Sequence, residues 1–467
     1  MNFAESRFWV LLLSGLGVVL LVRLPLVRLL GERIGHYDKV GLAGLGLFLL
    51  LSVSWVTCLI FVVVAVVSYV GMWWLARQGT RGRGWLLFVL IPLQLLPLLY
   101  YKYANFALNE VGGAGFDTLR GLVIPAGISF YTFQMMSFVI DTLGFHKPLP
   151  RPLDFLNFGG FFPQVVAGPI ERREALLPQM ENFRLRWDPA AINEGATWIA
   201  LGMFFKRCLA DNAATYFDGA SATNPFLIWL ANVLFGLRIY YDFAGYSLVA
   251  LGVGRCLGVR LTLNFLSPYC STSIVEFWRR WHVSLSQWFR DYVYVPLGGG
   301  RARGWMFNVA VVFIVSGIWH GAGWNFMLWG ALHGAALIVN RLLAPKLKPG
   351  RLLAWLLTML VAFFAWLTFY ETRTALLWTK LQTLCNPGAY TRSALREAAA
   401  HWGGGDQFVL VCLLGLAGLV LLVEWLSVAR RDEPYYFLRR PVVAIGLVIL
   451  TVLLAPATHN AFIYFAF

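Results

Sequence analysis

A chain of 467 residues in which 59% are hydrophobic and only 13% charged has the balance of a protein solvated by lipid, which excludes an ordinary soluble domain. The net charge of +15 does not point to nucleic acid, because in a membrane protein the placement of Lys and Arg matters more than their sum. Six cysteines (Cys58, Cys208, Cys256, Cys270, Cys385, Cys412) lie scattered without CxxC spacing, so neither a metal site nor a disulfide set is expected.

Apolar stretches long enough to cross a hydrocarbon core of roughly 30 Å recur from one end to the other. In chain order, helices are predicted over 8–22, 41–57, 58–76, 84–101, 121–143, 191–209, 225–242, 305–322, 324–340, 352–370, 408–425 and 441–457. Eleven to twelve crossings follow. The segments 154–170 and 243–258 carry Gly and Pro and read as re-entrant or half helices. The first stretch lacks a small-residue cleavage site and is followed by Arg23, Arg28 and Arg33, so it reads as a retained helix. Lys and Arg concentrate over 23–39, 77–83, 147–186, 255–303, 341–351 and 430–440, which assigns those loops to the cytoplasm and, with twelve crossings, both termini to the outer side.

Ionisable residues within crossings are costly, so each is a candidate for function or for a neutralising partner. Arg238 and Asp242 stand four apart and can meet on one helical face; a structural ion pair is the plainer reading. Asp141 and Asp211 lie near helix ends and read as structural. In 274–293, Trp278, Trp281, Leu285, Trp288 and Tyr292 form one stripe, while Arg279, His282, Ser286 and Arg290 form another. An amphipathic helix is predicted, lying in the interface or lining a polar cavity. A basic glycine turn follows, and then a helix that carries His320 well inside the membrane among Gly317, Gly321 and Gly323. Those glycines leave room for another backbone or for a substrate. The imidazole is either a satisfied buried polar group or a base suited to taking a proton from a hydroxyl.

Several ordered segments carry a resemblance. They are Lys102-Tyr103-Ala104-Asn105-Phe106, Pro125-Ala126-Gly127-Ile128-Ser129-Phe130-Tyr131-Thr132-Phe133-Gln134, Phe161-Phe162-Pro163-Gln164 and Val166-Ala167-Gly168-Pro169-Ile170. They continue in Tyr241-Asp242-Phe243-Ala244-Gly245-Tyr246, Asn264-Phe265, Ser267-Pro268-Tyr269, Glu276-Phe277-Trp278-Arg279-Arg280-Trp281-His282 and Ser316-Gly317-Ile318-Trp319-His320-Gly321. Over these the chain resembles the membrane-bound O-acyltransferase (MBOAT) family, in its bacterial alginate O-acetylase-like branch. The resemblance implies an all-α polytopic membrane protein with re-entrant and interfacial helices and with cytoplasmic and periplasmic funnels. One membrane domain over 1–467 is expected, with N-terminal helices 1–120, a catalytic core 121–345 holding His282 and His320, and C-terminal helices 346–467. His320 corresponds to the family's nearly invariant histidine and His282 to its second motif histidine, whereas His333 matches no motif and reads as structural. The last residues, Phe462-Ile463-Tyr464-Phe465-Ala466-Phe467, are similar to an aromatic hexapeptide of this branch whose tyrosine is implicated as an acyl relay; Ala466 departs from the glutamine common there.

The function so implied is acetyl transfer from cytoplasmic acetyl-CoA at the bacterial inner membrane, without a metal. Some of Arg279, Arg280, Arg290, Arg301 and Arg303 are expected to hold the donor phosphates. The acetyl group would pass by His320 and Tyr464 to a periplasmic serine esterase-like (SGNH-type) acetyltransferase and on to a secreted polysaccharide of the alginate or cellulose type. D-alanyl transfer to teichoic acid, peptidoglycan O-acetylation, a polysaccharide channel or flippase, and a noncatalytic anchor are the competing readings. Catalysis requires a passage to residue 320 from the donor side.

Overall fold

The computed structural model describes residues 2–77, 80–217, 221, 223–301, 303–347, 349–457 and 460–463, of 80–86 the backbone alone. Tyr464 and Ala466 lie outside the described residues. Among the described residues the secondary structure is entirely helical. Six helical stretches are long and apolar enough to cross a membrane, or seven when the bent pair Leu87–Tyr103 and Asn105–Val111 is taken as one. Trp305–His320 and Pro441–Leu454 are apolar but shorter. The gap from the eleven to twelve expected crossings has a local origin. Ser6–Val53 counts as one 48-residue stretch, and the helix predicted over 191–209 ends at Met203 and continues as a π-helical stretch, Phe204–Ala210.

The chain divides into two compact units, Met1–Ile199 with Tyr246–Leu263 and Ala200–Gly245 with Asn264–Phe467, so the division falls inside the segment 121–345. In the first unit the expected re-entrant segment is two short helices, Pro152–Gly160 and Phe162–Val165. Close backbone approach seats them: a side chain at Gly46 would meet the Gly160 carbonyl at 2.7 Å, and one at Gly127 (φ +78°) the Val165 carbonyl at 2.5 Å. Arg23 pairs with buried Asp38 at 2.6 Å and Lys39 with buried Asp154 at 2.7 Å, so buried carboxylates are neutralised here.

The half helix expected over 243–258 is instead the end of one 32-residue helix, Pro225–Cys256. Asn224 caps it by accepting the amides of Phe226 and Leu227, with Pro225 at the first position. Its glycines do not break it, because they serve packing: a side chain at Gly245 would strike the Gly202 carbonyl at 2.8 Å. In the second unit Trp305–His320 packs along Trp324–Leu343 in the same way. A side chain at Gly317 would meet the Phe326 carbonyl, and one at Gly330 the Phe313 carbonyl, each at 2.2 Å. Of the two uses foreseen for the glycines near His320, close approach of another backbone is the one observed at Gly317.

Candidate active site

The amphipathic helix predicted over 274–293 is broken at its centre. Ile274–Arg280 ends at Trp281 in extended conformation, and His282 takes a left-handed conformation (φ +43°) before Val283–Phe289 begins. The Asn-Phe segment before it supplies the reason. Val283 donates its amide to the Asn264 carbonyl at 2.9 Å, and Leu266 donates to the Arg280 carbonyl at 2.9 Å, replacing helical bonds across the break. Asn264 Oδ1 accepts the Ser284 amide (3.1 Å) and hydroxyl (2.9 Å), which caps the second helix and fixes that atom as the carbonyl oxygen. His282 Nδ1, 3.2 Å from the same oxygen, is therefore the protonated nitrogen and Nε2 carries the lone pair. Burial pushes the His282 imidazole down to about 3, so it is neutral at physiological pH.

His320 ends its helix and is 3% exposed. Its ring lies 5.0 Å from that of Trp319, 4.9 Å from Trp329 and 5.2 Å from Phe369. Trp319 is also 6.0 Å from His282, so one indole touches both motif histidines. His333 joins the same aromatic layer, 4.9 Å from Trp329, and its Nδ1 accepts the Trp278 indole N–H at 3.3 Å. That contact holds Trp278 in place and gives His333 the structural part expected of it.

Beside this layer opens a cavity of about 1130 Å³, at the top of the roughly 300–1,000 Å³ usual for small-molecule sites. Arg279, Arg290, Arg341, Ser286, Gln287 and Asn340 supply polar lining, and the cavity reaches Trp278 and Ser316. Ser316 precedes His320 by one helical turn. The indole of Trp329 stands between, 5.5 Å from Trp278 and 4.9 Å from His320. The expected passage thus stops one side-chain layer short of the imidazole.

The five arginines predicted for the donor do not gather together. Arg279 and Arg290 line the cavity, with Arg290 also 2.7 Å from Asp291. Arg280 is committed elsewhere, to Glu276 at 2.9 Å and to the Leu266 carbonyl at 3.0 Å, so it stabilises the broken helix. Arg301 and Arg303 are exposed and are not part of the cavity wall. Arg341, which sequence reasoning missed, takes their place and lies over the Trp305 ring at 4.3 Å.

The pairing of Arg238 with Asp242 is also corrected. Asp242 is 2.8 Å from Lys206 Nζ, which reaches Asp211 at 2.9 Å as well. Close approach at Gly245 admits Lys206, leaving Arg238 as a more distant charge facing both carboxylates. Lys206 lies inside the stretch predicted as a crossing, and that intramembrane charge was the available signal. Among the described residues no group of three or more His, Cys, Asp or Glu is placed to hold a metal ion.

Comparisons with known proteins show the family. The family model described as MBOAT, membrane-bound O-acyltransferase family, matches residues 43–378. This chain belongs to that family. It is 36% identical over 341 residues to the probable alginate O-acetylase AlgI of Pseudomonas aeruginosa, covering 69% of this chain and 65% of that one. It is 35% identical over 362 residues to the probable alginate O-acetylase AlgI of Azotobacter vinelandii, covering 73% and 71%. The peptidoglycan O-acetyltransferase of Helicobacter pylori is 34% identical over 335 residues, 63% of each chain. As the family and the apolar helices require, this MBOAT protein is a multi-pass membrane protein.

Proposed function

We propose that this protein is an O-acetyltransferase subunit that takes acetyl from acetyl-CoA on the cytoplasmic side of a bacterial inner membrane and hands it outward to a periplasmic acetyltransferase acting on an alginate-type polysaccharide. The observation that carries the reading is the arginine-lined cavity ending one turn from His320. Guanidinium groups of Arg279, Arg290 and Arg341 suit the phosphates of the coenzyme, and the cavity also reaches Ser316, one turn before His320. The layer of Trp278 and Trp329 must part for the thioester to reach the imidazole.

His320 then acts as general base on the Tyr464 phenol. The phenolic oxygen bonds to the acetyl carbon, the carbon–sulfur bond breaks, and the proton taken by His320 goes to the departing thiolate, leaving acetyl-tyrosine and coenzyme A. His282, with its lone pair on Nε2 and its ring against Trp319, orients the donor end of this path. Alginate enters because two of the relatives bear that substrate in their names.

The test is made on purified membranes with labelled acetyl-CoA and peptide mass spectrometry. An acetyl adduct on Tyr464 is expected, and His320→Ala is expected to lower its formation by roughly 10²–10⁴-fold. A wild-type rate in His320→Ala, or labelling only with a D-alanyl donor, refutes the reading.

A further inference from the structure

The last described residues are not simply laid against the helices. Helix Pro441–Leu454 ends before Pro456, where its last carbonyls lose their helical partners. Side chains of the second unit supply them. Asn212 donates to the Leu454 carbonyl at 2.9 Å, Arg207 to the Pro456 carbonyl at 2.8 Å and Lys206 to the Asn460 carbonyl at 3.0 Å. Asp242 accepts the Ile463 amide at 2.7 Å. Phe462 packs its ring 5.7 Å from that of Phe243, the residue after Asp242.

The charges behind these contacts are interlocked. Lys206 is 6% exposed, and its ammonium has three acceptors: Asp211 at 2.9 Å, Asp242 at 2.8 Å and the Asn460 carbonyl. The two carboxylates stand at ion-pair distance, and the tail carbonyl accepts a hydrogen bond from the same ammonium. Asp242 divides its oxygens in the same way, one for Lys206 and one for the Ile463 amide. Arg207 joins Asp211 at 2.6 Å to the Pro456 carbonyl. Burying two cations and two carboxylates is expensive, and a plain anchor for an apolar tail needs none of them. Their effect is geometric: directional, charge-assisted bonds hold the backbone that follows the last long helix. Lys206 and Arg207 occupy a π-helical stretch, a distortion that re-aims side chains and recurs at functional sites.

We propose that Lys206, Arg207, Asp211 and Asp242 form an ionic clamp that fixes the segment 460–463, which directly precedes Tyr464 in the sequence, and that acyl transfer depends on this clamp. These are positioning residues, and the proposal rests on the relay reading above. Its variants separate the two ideas. Ile463→Pro removes the one amide that Asp242 accepts and leaves every charge in its pair, so the fold is spared. Lys206→Met removes the centre of the clamp. Both are expected to release the last residues to carboxypeptidase faster than wild type. Both are also expected to lower kcat for acetyl transfer by roughly a hundred-fold, the cost of a misplacement of about 1 Å, with KM for acetyl-CoA unchanged. Asp242→Asn, which keeps an oxygen for the Ile463 amide, is expected to retain more turnover than Asp242→Ala. Carboxypeptidase release and kcat both at wild-type level in Ile463→Pro overturn the clamp, as does a freed tail with unchanged kcat. If Tyr464→Phe transfers acetyl at the full rate, the relay fails, and the carboxypeptidase measurement still decides whether the clamp holds the tail.

Discussion

Two regions of the second unit carry positive charge into an apolar protein and use it in opposite ways. At the cavity mouth, Arg279 and Arg341 have no ion-pair partner among the described residues and are exposed. At the clamp, Lys206 is buried, pairs with two carboxylates and donates a hydrogen bond to the Asn460 carbonyl. Charge left unmatched beside a cavity is available to a ligand, while charge matched inside the fold is available only to hold the fold. The number of acceptors around a cation, more than its mere presence, separates a binding residue from a positioning one.

Stability should split the two regions most sharply. Lys206→Met strands buried Asp242, leaves Asp211 with Arg207 alone and is expected to cost about 3–5 kcal/mol, whereas Arg279→Ala should stay within about 0.5 kcal/mol of wild type. Thermal unfolding in detergent compares them, and equal losses would erase the distinction. Affinity should split them in the other direction. Arg279→Ala with Arg290→Ala is expected to raise KM for acetyl-CoA by about tenfold or more, and the wild-type KM should climb with ionic strength, because exposed charges are screened over roughly 10 Å at 0.1 M salt. The tail contacts, being buried, should not respond to salt. A salt-insensitive KM would remove the cavity arginines from donor binding.

The smallest effect belongs to His282, which carries no charge between those regions. Its folded value, near 3, lies below the ordinary 6.5, so the unfolded chain takes up the proton first as pH falls. Stability should therefore decline as pH falls from 6.5 toward 3, by no more than about 1.4 kcal/mol for each pH unit. A His282→Gln protein should show a flatter dependence in the same window, and parallel curves would show that the imidazole is not held neutral.

Much of the site was legible before any coordinates. His282 and His320 were marked by motif, and the structure sets both against Trp319. Arg279 and Arg290 were marked by helical period, and they line the cavity although the helix itself breaks at His282. The break was not legible because its cause, Asn264, lies 18 residues upstream and acts through a side-chain oxygen. Arg280 was misjudged because spacing cannot tell a free guanidinium from one already bound to Glu276. Asp242 was given to Arg238, the neighbour within reach along the helix, when a nearer cation comes from another helix across Gly245.

By itself the sequence determined that this is a helical membrane protein of a known acyltransferase family, since hydropathy and ordered motifs are local properties that survive without coordinates. Only the tertiary structure decided which charges are spent on one another and which are left beside a cavity. That division depends on distances of about 3 Å between residues far apart in the chain, and no periodicity along one element encodes them.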